Sequence, residues 1–209
     1  MLQVKICGIT RLEDILLLIQ YPVWALGFIQ VETSPRYIKP DFAKKLISCL
    51  PNRIRSVGVF QNHSIQTVKQ IRDYCGFSIV QLHGSEEPSF CDRLGRGVMR
   101  AFRIDNKLDF IQVGYYQSVT DYFLFDTFIH GKNGGTGQPF DWKLLKGIER
   151  FKKPFLISGG LSPNNIQKCL KTIIPFGIDI NSGVESSPGK KDIQKVHALF
   201  QKLNKIFPS

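Results

Sequence analysis

The sequence predicts a single-domain α/β protein, a (β/α)8 (TIM) barrel over residues 1–209. Eight short apolar runs rich in strand-forming residues alternate with eight amphipathic segments. Several of the runs are apolar on both faces, which is typical of a parallel sheet covered by helices. The length allows about 26 residues for each strand and helix, which is enough for a barrel with short loops. No linker or shift in composition divides the chain.

Turn residues separate the predicted elements. The strands are predicted at residues 4–9, 23–30, 54–60, 77–83, 97–104, 121–127, 154–159 and 176–181. The helices are predicted at residues 11–20, 40–50, 64–75, 86–95, 107–117, 140–150, 163–173 and 189–206. Ser64, Ser85 and Ser162 precede helical patterns and are candidate helix caps. An open doubly wound sheet is disfavoured, because the first strand ends in CGITR rather than in GxGxxG.

The charge balance is basic. The chain has 28 Lys and Arg residues against 17 Asp and Glu residues, which gives a net charge of +11. That excess is compatible with nucleic acid, with a membrane surface or with an anionic small-molecule substrate. Zinc-finger spacing, an RNP-type aromatic run and helix-turn-helix punctuation are absent from the sequence, so we expect no nucleic-acid partner. The densest positive stretch has the spacing of the solvated face of a last helix, with Lys190, Lys191, Lys195, Lys202 and Lys205.

The cysteines and the first residues predict a cytoplasmic protein. Five cysteines without a CxxC pair fit neither a disulfide framework nor a zinc knuckle. The N-terminal MLQVKICGIT lacks the pattern of a leader peptide, and no uninterrupted apolar run reaches ~18 residues. We therefore expect no membrane partner. The four histidines show no metal-ligand spacing.

Polar residues at the predicted strand ends form the candidate site, because a barrel carries its functional groups there. Cys7 is either a base or nucleophile or an inert core thiol. Asp126 is either a proton donor or a loop cap. Arg36 either binds a carboxylate through two parallel N–H donors or lies on the surface. The full set is Cys7, Arg36, Asn62, Gln81, His83, Arg103, Asp126, Ser158, Asp179, Asn181 and Ser182.

Two glycine-containing segments predict a phosphate site. SGGLSPNN (158–165) follows the seventh strand and NSGVESSPG (181–189) follows the eighth, where barrels commonly bind phosphate. The backbone N–H groups available there belong to Gly159, Gly160, Ser182 and Gly183. The same segments could be ordinary turns. A third segment, GKNGGTG (131–137), is either a loop over the ring or a flexible connection, and it lacks the ending of a P-loop.

Together these motifs resemble the phosphoribosylanthranilate isomerase family. The matches follow the family's order over essentially the whole chain, and only the fifth strand, VMRAFRI, matches loosely. The matching segments are KICGIT (5–10), ALGFIQVETSPRYI (25–38), VGVFQN (57–62), VQLHGSE (80–86), FLFDT (123–127), GGTGQPFDW (134–142), ISGGLSPNNI (157–166) and GIDINSGVESSPGKKD (177–192).

The resemblance implies an isomerase of tryptophan biosynthesis that uses no metal and no cofactor. Its reaction would be the Amadori rearrangement of phosphoribosylanthranilate to 1-(o-carboxyphenylamino)-1-deoxyribulose 5-phosphate. By this resemblance Cys7 is the general base and Asp126 the general acid. Arg36 would bind the anthranilate carboxylate, and the four backbone groups after the last two strands would bind the phosphate. Asp179 and His83 are assigned to substrate binding.

The base role requires a thiolate, and an unperturbed cysteine has a pKa of ~8.5. Lys5 shares a strand face with Cys7 and would stabilise the thiolate if it points inward. Gln61, Ser158, Arg100 and Arg103 depart from the commonest family pattern, which affects substrate breadth rather than the type of reaction.

The sequence leaves several other functions open. The related isomerase of histidine biosynthesis acts on a larger bis-phosphorylated substrate, but it has an aspartate where this chain has Cys7. It also has a second phosphate site after strands three and four, where this chain has no glycine pair. The chain could also be a dual-substrate isomerase, a non-catalytic barrel that binds a phosphorylated ligand, or a nucleic-acid-binding module. The sequence does not distinguish a monomer from a homodimer.

Overall fold

Eight parallel strands form a closed barrel in chain order, with the last strand paired to the first. The computed structural model describes residues 2–127 and 139–208. The strands are β1 (Gln3–Ile6), β2 (Ala25–Ile29), β3 (Arg55–Phe60), β4 (Ile79–Leu82), β5 (Val98–Ile104), β6 (Tyr122–Thr127), β7 (Phe155–Ile157) and β8 (Gly177–Ile180). Each overlaps its predicted range. The predicted (β/α)8 barrel is therefore confirmed.

Helices cover the outside of the barrel. They are α1 (Leu12–Leu18), α2 (Pro40–Ile47), α3 (Ile65–Cys75), α4 (Pro88–Leu94), α5 (Phe110–Gly114), α6 (Ile166–Thr172) and α7 (Ile193–Ile206). The cap predicted at Ser64 is confirmed, because its hydroxyl accepts a hydrogen bond from the N–H of Thr67 at 3.1 Å. The cap predicted at Ser85 is wrong, since α4 begins after Glu87. Helix α6 begins after Asn165, three residues later than predicted, but the hydroxyl of Ser162 accepts a hydrogen bond from the N–H of Asn164 at 3.3 Å and so caps the turn that leads into it.

The helix predicted over residues 140–150 is replaced by two short 3-10 turns, Trp142–Leu145 and Ile148–Phe151. The reason lies in the spacing of the buried side chains. Trp142, Leu145, Ile148 and Phe151 are all buried and recur every third residue, which is the period of a 3-10 turn rather than of an α-helix.

The segment before the last helix also differs from its prediction. Residues 189–192 do not begin α7, which starts at Ile193 with the carboxylate of Asp192 as its cap. They belong instead to a small antiparallel hairpin of β9 (Glu185–Ser187) and β10 (Lys190–Lys191). This hairpin lies between the end of β8 and α7, so it brings two charged side chains to the barrel mouth.

The buried apolar side chains form two cores. The larger core lies between the strands and the helices. The smaller core fills the barrel interior, so the barrel is packed rather than hollow, as in other barrels of this size. It consists of Cys7, Ala25, Val57, Val59, Ile79, Met99, Ala101, Leu124 and Leu156. Within residues 2–127 and 139–208, no helix has the length and hydrophobicity needed to span a membrane.

Candidate active site

A cavity of about 230 Å³ lies at the carboxyl ends of the strands. It brings together all but two of the site residues predicted from the sequence, and those that line it include Cys7, Arg36, His83, Asp126, Gly159, Gly160, Asp179 and Ser182. Gln61, Gln81, Arg103, Ser158 and Asn181 line it as well. Gly183 does not line the cavity, and its Cα packs against the Leu161 carbonyl, where a Cβ would collide. The strand-end candidate Asn62 is not part of the lining.

Cys7 follows β1 and lies where the barrel core meets the cavity, with 5% of its surface exposed. Burial raises the pKa of its thiol. The positive charge of Lys5 opposes that rise, the negative charge of Asp179 adds to it, and Lys191 opposes it. The net result is a pKa above the ordinary value. The stabilisation of the thiolate that we expected from Lys5 is thus outweighed.

The reason is the partner that Lys5 has. Lys5 does point inward, and its Nζ donates a hydrogen bond to Asp179 Oδ1 at 2.8 Å. Both side chains are buried. Burial lowers the pKa of Lys5, but the charge of Asp179 more than restores it, so Lys5 stays protonated. The positive charge of Lys5 therefore interacts with both Asp179 and Cys7. Asp179 lines the cavity, and the ion pair with Lys5 holds it there.

Asp126 comes near the end of β6 and is oriented by a chain of two side chains. Its Oδ2 lies 3.1 Å from His83 Nε2, and His83 Nδ1 lies 3.1 Å from the side-chain nitrogen of Gln81. An amide nitrogen can only donate, so Nδ1 accepts and Nε2 carries the hydrogen that is donated to Asp126. His83 therefore contacts the predicted acid directly, and both residues face the cavity.

The loops after β7 and β8 form the side of the cavity predicted to bind phosphate. Gly159 and Gly160 both have left-handed backbone conformations, with φ of 84° and 64°. Residues with a Cβ rarely adopt this conformation, so the glycine pair is required by the turn itself. Ser182 begins a single 3-10 turn, Ser182–Val184, next to this pair. Close packing of Gly183 against Leu161 holds the two loops together.

Arg36 follows β2 and reaches the cavity from that side of the barrel mouth. A hydrogen bond from its backbone N–H to Ser34 Oγ at 3.2 Å fixes the turn that carries it. Its Nε lies 3.0 Å from both carboxylate oxygens of Glu185, and its Nη2 lies 2.6 Å from Oε2. The arginine predicted to bind a carboxylate is thus already bound along one edge by a protein carboxylate.

Glu185 and Lys191 are the residues that the sequence reasoning missed. Lys191 was predicted on the solvated face of the last helix, and this is wrong, because its side chain is completely buried. Its Nζ bonds Glu185 Oε1 at 2.9 Å, Asn181 Oδ1 at 3.1 Å and the carbonyl oxygen of Cys7 at 2.5 Å. Burial lowers the pKa of Lys191, and Glu185 opposes this. A glutamate and a lysine on either side of an SSPG turn were the available signal for a paired hairpin.

The glycine segment 131–137 lies outside the described residues. In the part of the chain that the structure describes, no group of three or more His, Cys, Asp and Glu side chains is arranged to hold a metal ion.

Comparison with known proteins gives one consistent result. The model of the N-(5'-phosphoribosyl)anthranilate isomerase family matches residues 4–202. The chain is 40% identical over 209 residues to the N-(5'-phosphoribosyl)anthranilate isomerase of Citrifermentans bemidjiense, with 99% of this chain and 98% of the relative covered.

Solved structures agree with the sequence relatives. The phosphoribosylanthranilate isomerase of Thermotoga maritima superposes with a TM-score of 0.89 at 32% identity, covering 98% of this chain and 100% of that one. A phosphoribosylanthranilate isomerase in complex with reduced 1-(o-carboxyphenylamino)-1-deoxyribulose 5-phosphate superposes with a TM-score of 0.85, also at 32% identity and with the same coverage.

Proposed function

The chain belongs to the N-(5'-phosphoribosyl)anthranilate isomerase family, and we propose that Cys7 and Asp126 are the general base and the general acid of its reaction. The protein is an isomerase of tryptophan biosynthesis, and its substrate is phosphoribosylanthranilate. One observation carries the assignment of roles. The Cys7 thiol and the Asp126 carboxylate line the same cavity, with Arg36 and the glycine loops on its walls.

The two anionic ends of the substrate set its orientation. The anthranilate carboxylate is bound by Arg36, whose guanidinium can donate two parallel hydrogen bonds. The phosphate is bound by the backbone N–H groups of Gly159, Gly160, Ser182 and Gly183. The first three of these residues line the cavity, and Gly183 lies in the 3-10 turn that Ser182 begins. Fixing both ends places the ribose between Cys7 and Asp126, which supplies the orientation that a two-step proton transfer needs.

The first chemical step opens the ring. Asp126 donates a proton to the furanose ring oxygen, and the C1–O bond breaks. The lone pair of the anthranilate nitrogen forms the C1=N bond, which leaves a protonated Schiff base. His83 orients the carboxyl group through its contact with Oδ2 at 3.1 Å, so the other oxygen can face the sugar.

The second step moves the proton that isomerises the sugar. The thiolate of Cys7 removes the proton from C2, whose electron pair forms the C1=C2 bond while the C=N pair returns to nitrogen. The enol then becomes the ketone as C1 takes up a proton and the C2 hydroxyl loses one. Because the pKa of Cys7 is raised by burial, kcat/KM should increase with pH through the neutral and mildly alkaline range. Lys5 and Lys191 favour the thiolate and Asp179 disfavours it.

A bis-phosphorylated substrate fits this chain less well. It would need an anion site across the mouth, near the loops after β3 and β4. There the carboxylate of Glu86 already accepts the backbone N–H groups of Asn62 at 2.6 Å and Gly84 at 2.9 Å. This internal carboxylate supports a substrate with a single phosphate.

We also place the protein in the cytoplasm, as one barrel domain over residues 1–209 that acts on a small molecule. Five unpaired cysteines suit a reducing compartment. Neither a nucleic-acid partner nor a membrane partner is part of the proposal.

A direct isomerase assay tests the roles. Phosphoribosylanthranilate is formed in the cuvette from anthranilate and phosphoribosyl pyrophosphate by a separate transferase, and its fluorescence decay is followed. Cys7→Ser and Asp126→Asn should each lower kcat by roughly 10²–10⁴-fold, the usual contribution of one acid or base. Cys49→Ser is the matched control, because Cys49 is exposed and away from the cavity. Near wild-type turnover of either site variant would remove that residue from the mechanism.

A further inference from the structure

Arg36 is held at the cavity wall by three hydrogen bonds to Glu185. A planar guanidinium has two edges that can each bind a carboxylate, one with Nε and Nη2 and one with Nη1 and Nη2. Glu185 occupies the first edge through three hydrogen bonds of 3.0, 3.0 and 2.6 Å. Within residues 2–127 and 139–208 no hydrogen bond from Nη1 is found, and Arg36 lines the cavity. The second edge is therefore the one left for a ligand.

Glu185 is itself fixed from three other directions. Its Oε1 accepts hydrogen bonds from Lys191 Nζ at 2.9 Å and from the backbone N–H of Gly189 at 3.2 Å. Its own carbonyl accepts one from Lys195 Nζ at 2.6 Å. Only 3% of the Glu185 side chain is exposed. The carboxylate thus has little freedom, and Arg36 is bound to a rigid partner rather than to a mobile surface side chain.

On the side away from Glu185, the Arg36 side chain packs against Gly8. The guanidinium stem passes over Gly8, where a Cβ would lie 2.8 Å from Arg36 Cδ. Gly8 has a φ of 75°, so a larger residue is disfavoured there by conformation as well as by space. Arg36 lies between Gly8 and Glu185, and both contacts limit its rotation.

The charges of the group leave Arg36 attractive to an anion. Glu185 alone would cancel the charge of Arg36. Lys191 is paired with the same carboxylate, so the three side chains together carry one net positive charge. Lys191 also bonds the carbonyl oxygen of Cys7, which ties the group to the segment that carries the thiol.

We propose that Glu185 is a positioning residue that presents the free edge of Arg36 to the substrate carboxylate, and that it thereby sets the preference for an ortho-carboxylated aryl amine. This inference rests on the proposed function, in which Arg36 binds that carboxylate. Glu185 does not touch the substrate. It acts by removing the rotamers of Arg36 that would aim the guanidinium elsewhere, which reduces the entropy lost on binding.

The test is a double-mutant cycle between Glu185→Gln and Arg36→Met. The readouts are KM, kcat and the Kd of reduced 1-(o-carboxyphenylamino)-1-deoxyribulose 5-phosphate. Glu185→Gln should raise KM and Kd by roughly tenfold with kcat within about twofold, the size expected when a charge-assisted contact is weakened. In the Arg36→Met background the same change should have no further effect. Inhibition by inorganic phosphate should be unchanged, since the phosphate binds at the other end of the cavity.

A matched control separates positioning from a general loss of charge. Glu13→Gln makes the same chemical change at an exposed ion pair with Arg11, away from the cavity, and should leave KM and kcat unchanged. If Glu185→Gln weakens analogue binding equally in the wild-type and in the Arg36→Met background, Glu185 does not act through Arg36 and the proposal is wrong. If Glu185→Gln binds like wild type while Arg36→Met does not, the positioning role is wrong and the proposed function stands.

The failure of the proposed function has a different signature. Arg36→Met would then bind the analogue as tightly as wild type. Should Glu185→Gln not fold, Glu185→Asp takes its place in the same cycle, because it keeps the charge and withdraws the carboxylate from Arg36 by one methylene. Binding and KM equal to wild type in that variant would overturn the proposal.

Discussion

Two arginine–glutamate pairs lie on opposite sides of the barrel mouth, and they differ in what the arginine can still bind. Arg36 pairs with Glu185 beside β1, β2 and β8, and it lines the cavity. Arg100 pairs with Glu86 at 2.9 Å beside β4 and β5, and it does not line the cavity. The guanidinium of Arg100 binds only within the protein, because it also donates to the carbonyl oxygens of Leu82 and Gly84.

The two glutamates differ in the same way. Glu86 accepts backbone N–H groups of the loops after β3 and β4, so the second pair joins those loops to β5. Glu185 accepts Lys191, which joins the Arg36 pair to the segment of Cys7. The same ion-pair chemistry is structural where both terminal nitrogens of the arginine are bound within the protein. It is available to a ligand where one edge of the arginine faces a cavity.

The largest expected effect is on stability, from Arg100→Met. This change leaves the Glu86 carboxylate buried without its cation, which typically costs about 3–5 kcal/mol. Urea unfolding should show that loss, while KM of the folded variant stays within about twofold of wild type because Arg100 does not reach the cavity. A loss below about 1 kcal/mol would show that the two pairs do not differ as described.

The next effect is on binding, from Arg36→Met. We expect KM to rise by roughly a hundredfold, equivalent to about 2.7 kcal/mol, because in the proposed function the substrate carboxylate loses its bidentate partner. Stability should change less than in Arg100→Met, since Glu185 keeps Lys191 and the N–H of Gly189. Steady-state kinetics and urea unfolding of both arginine variants test whether Arg36 serves binding and Arg100 serves stability. Wild-type KM here would mean that the carboxylate is bound elsewhere.

A smaller effect is expected on the pH dependence of stability, from Glu185→Gln. Burial alone would raise the pKa of the Glu185 carboxyl, but the hydrogen bonds from Arg36 and the charge of Lys191 outweigh it and leave the pKa below its ordinary value. A carboxyl whose pKa is lower in the folded state adds stability above its unfolded pKa and loses it as the pH falls through the folded value. The stability difference between wild type and Glu185→Gln, measured by urea unfolding at each pH, should therefore shrink as the pH falls below about 5. A difference that is constant or grows on acidification would contradict this.

The smallest effect is expected at an ion pair on the surface. Arg72 Nε lies 3.0 Å from Asp73 Oδ1, and 68% of the Asp73 side chain is exposed. Asp73→Asn should change the free energy of unfolding by at most about 0.5 kcal/mol, as is usual for solvated pairs. This variant sets the lower end of the scale. A loss as large as that of Arg100→Met would show that burial does not separate the three pairs.

The sequence predicts most accurately the positions of those elements whose pattern is local. All eight strands were located, because their apolar runs are short and end at turn residues. The prediction of an α-helix at residues 140–150 is wrong. The segment contains few helix-breaking residues, but its buried residues recur every third position and form two 3-10 turns. The start of α7 was placed too early for a related reason. The lysines before Asp192 fit a helix face, but they pair with Glu185–Ser187 in a hairpin.

What the sequence by itself determined is the barrel, the family resemblance and the residues at the strand ends, because strand ends and glycine turns are fixed by local chemistry. The tertiary structure alone decided how these residues are paired. Lys5 meets Asp179 across a sequence separation of 174 residues, and Arg36 meets Glu185 across 149. Lys191 is buried although its neighbours along the chain are polar. Closure of β8 onto β1 produces these contacts, and no local pattern encodes which charges a closed ring of strands brings together.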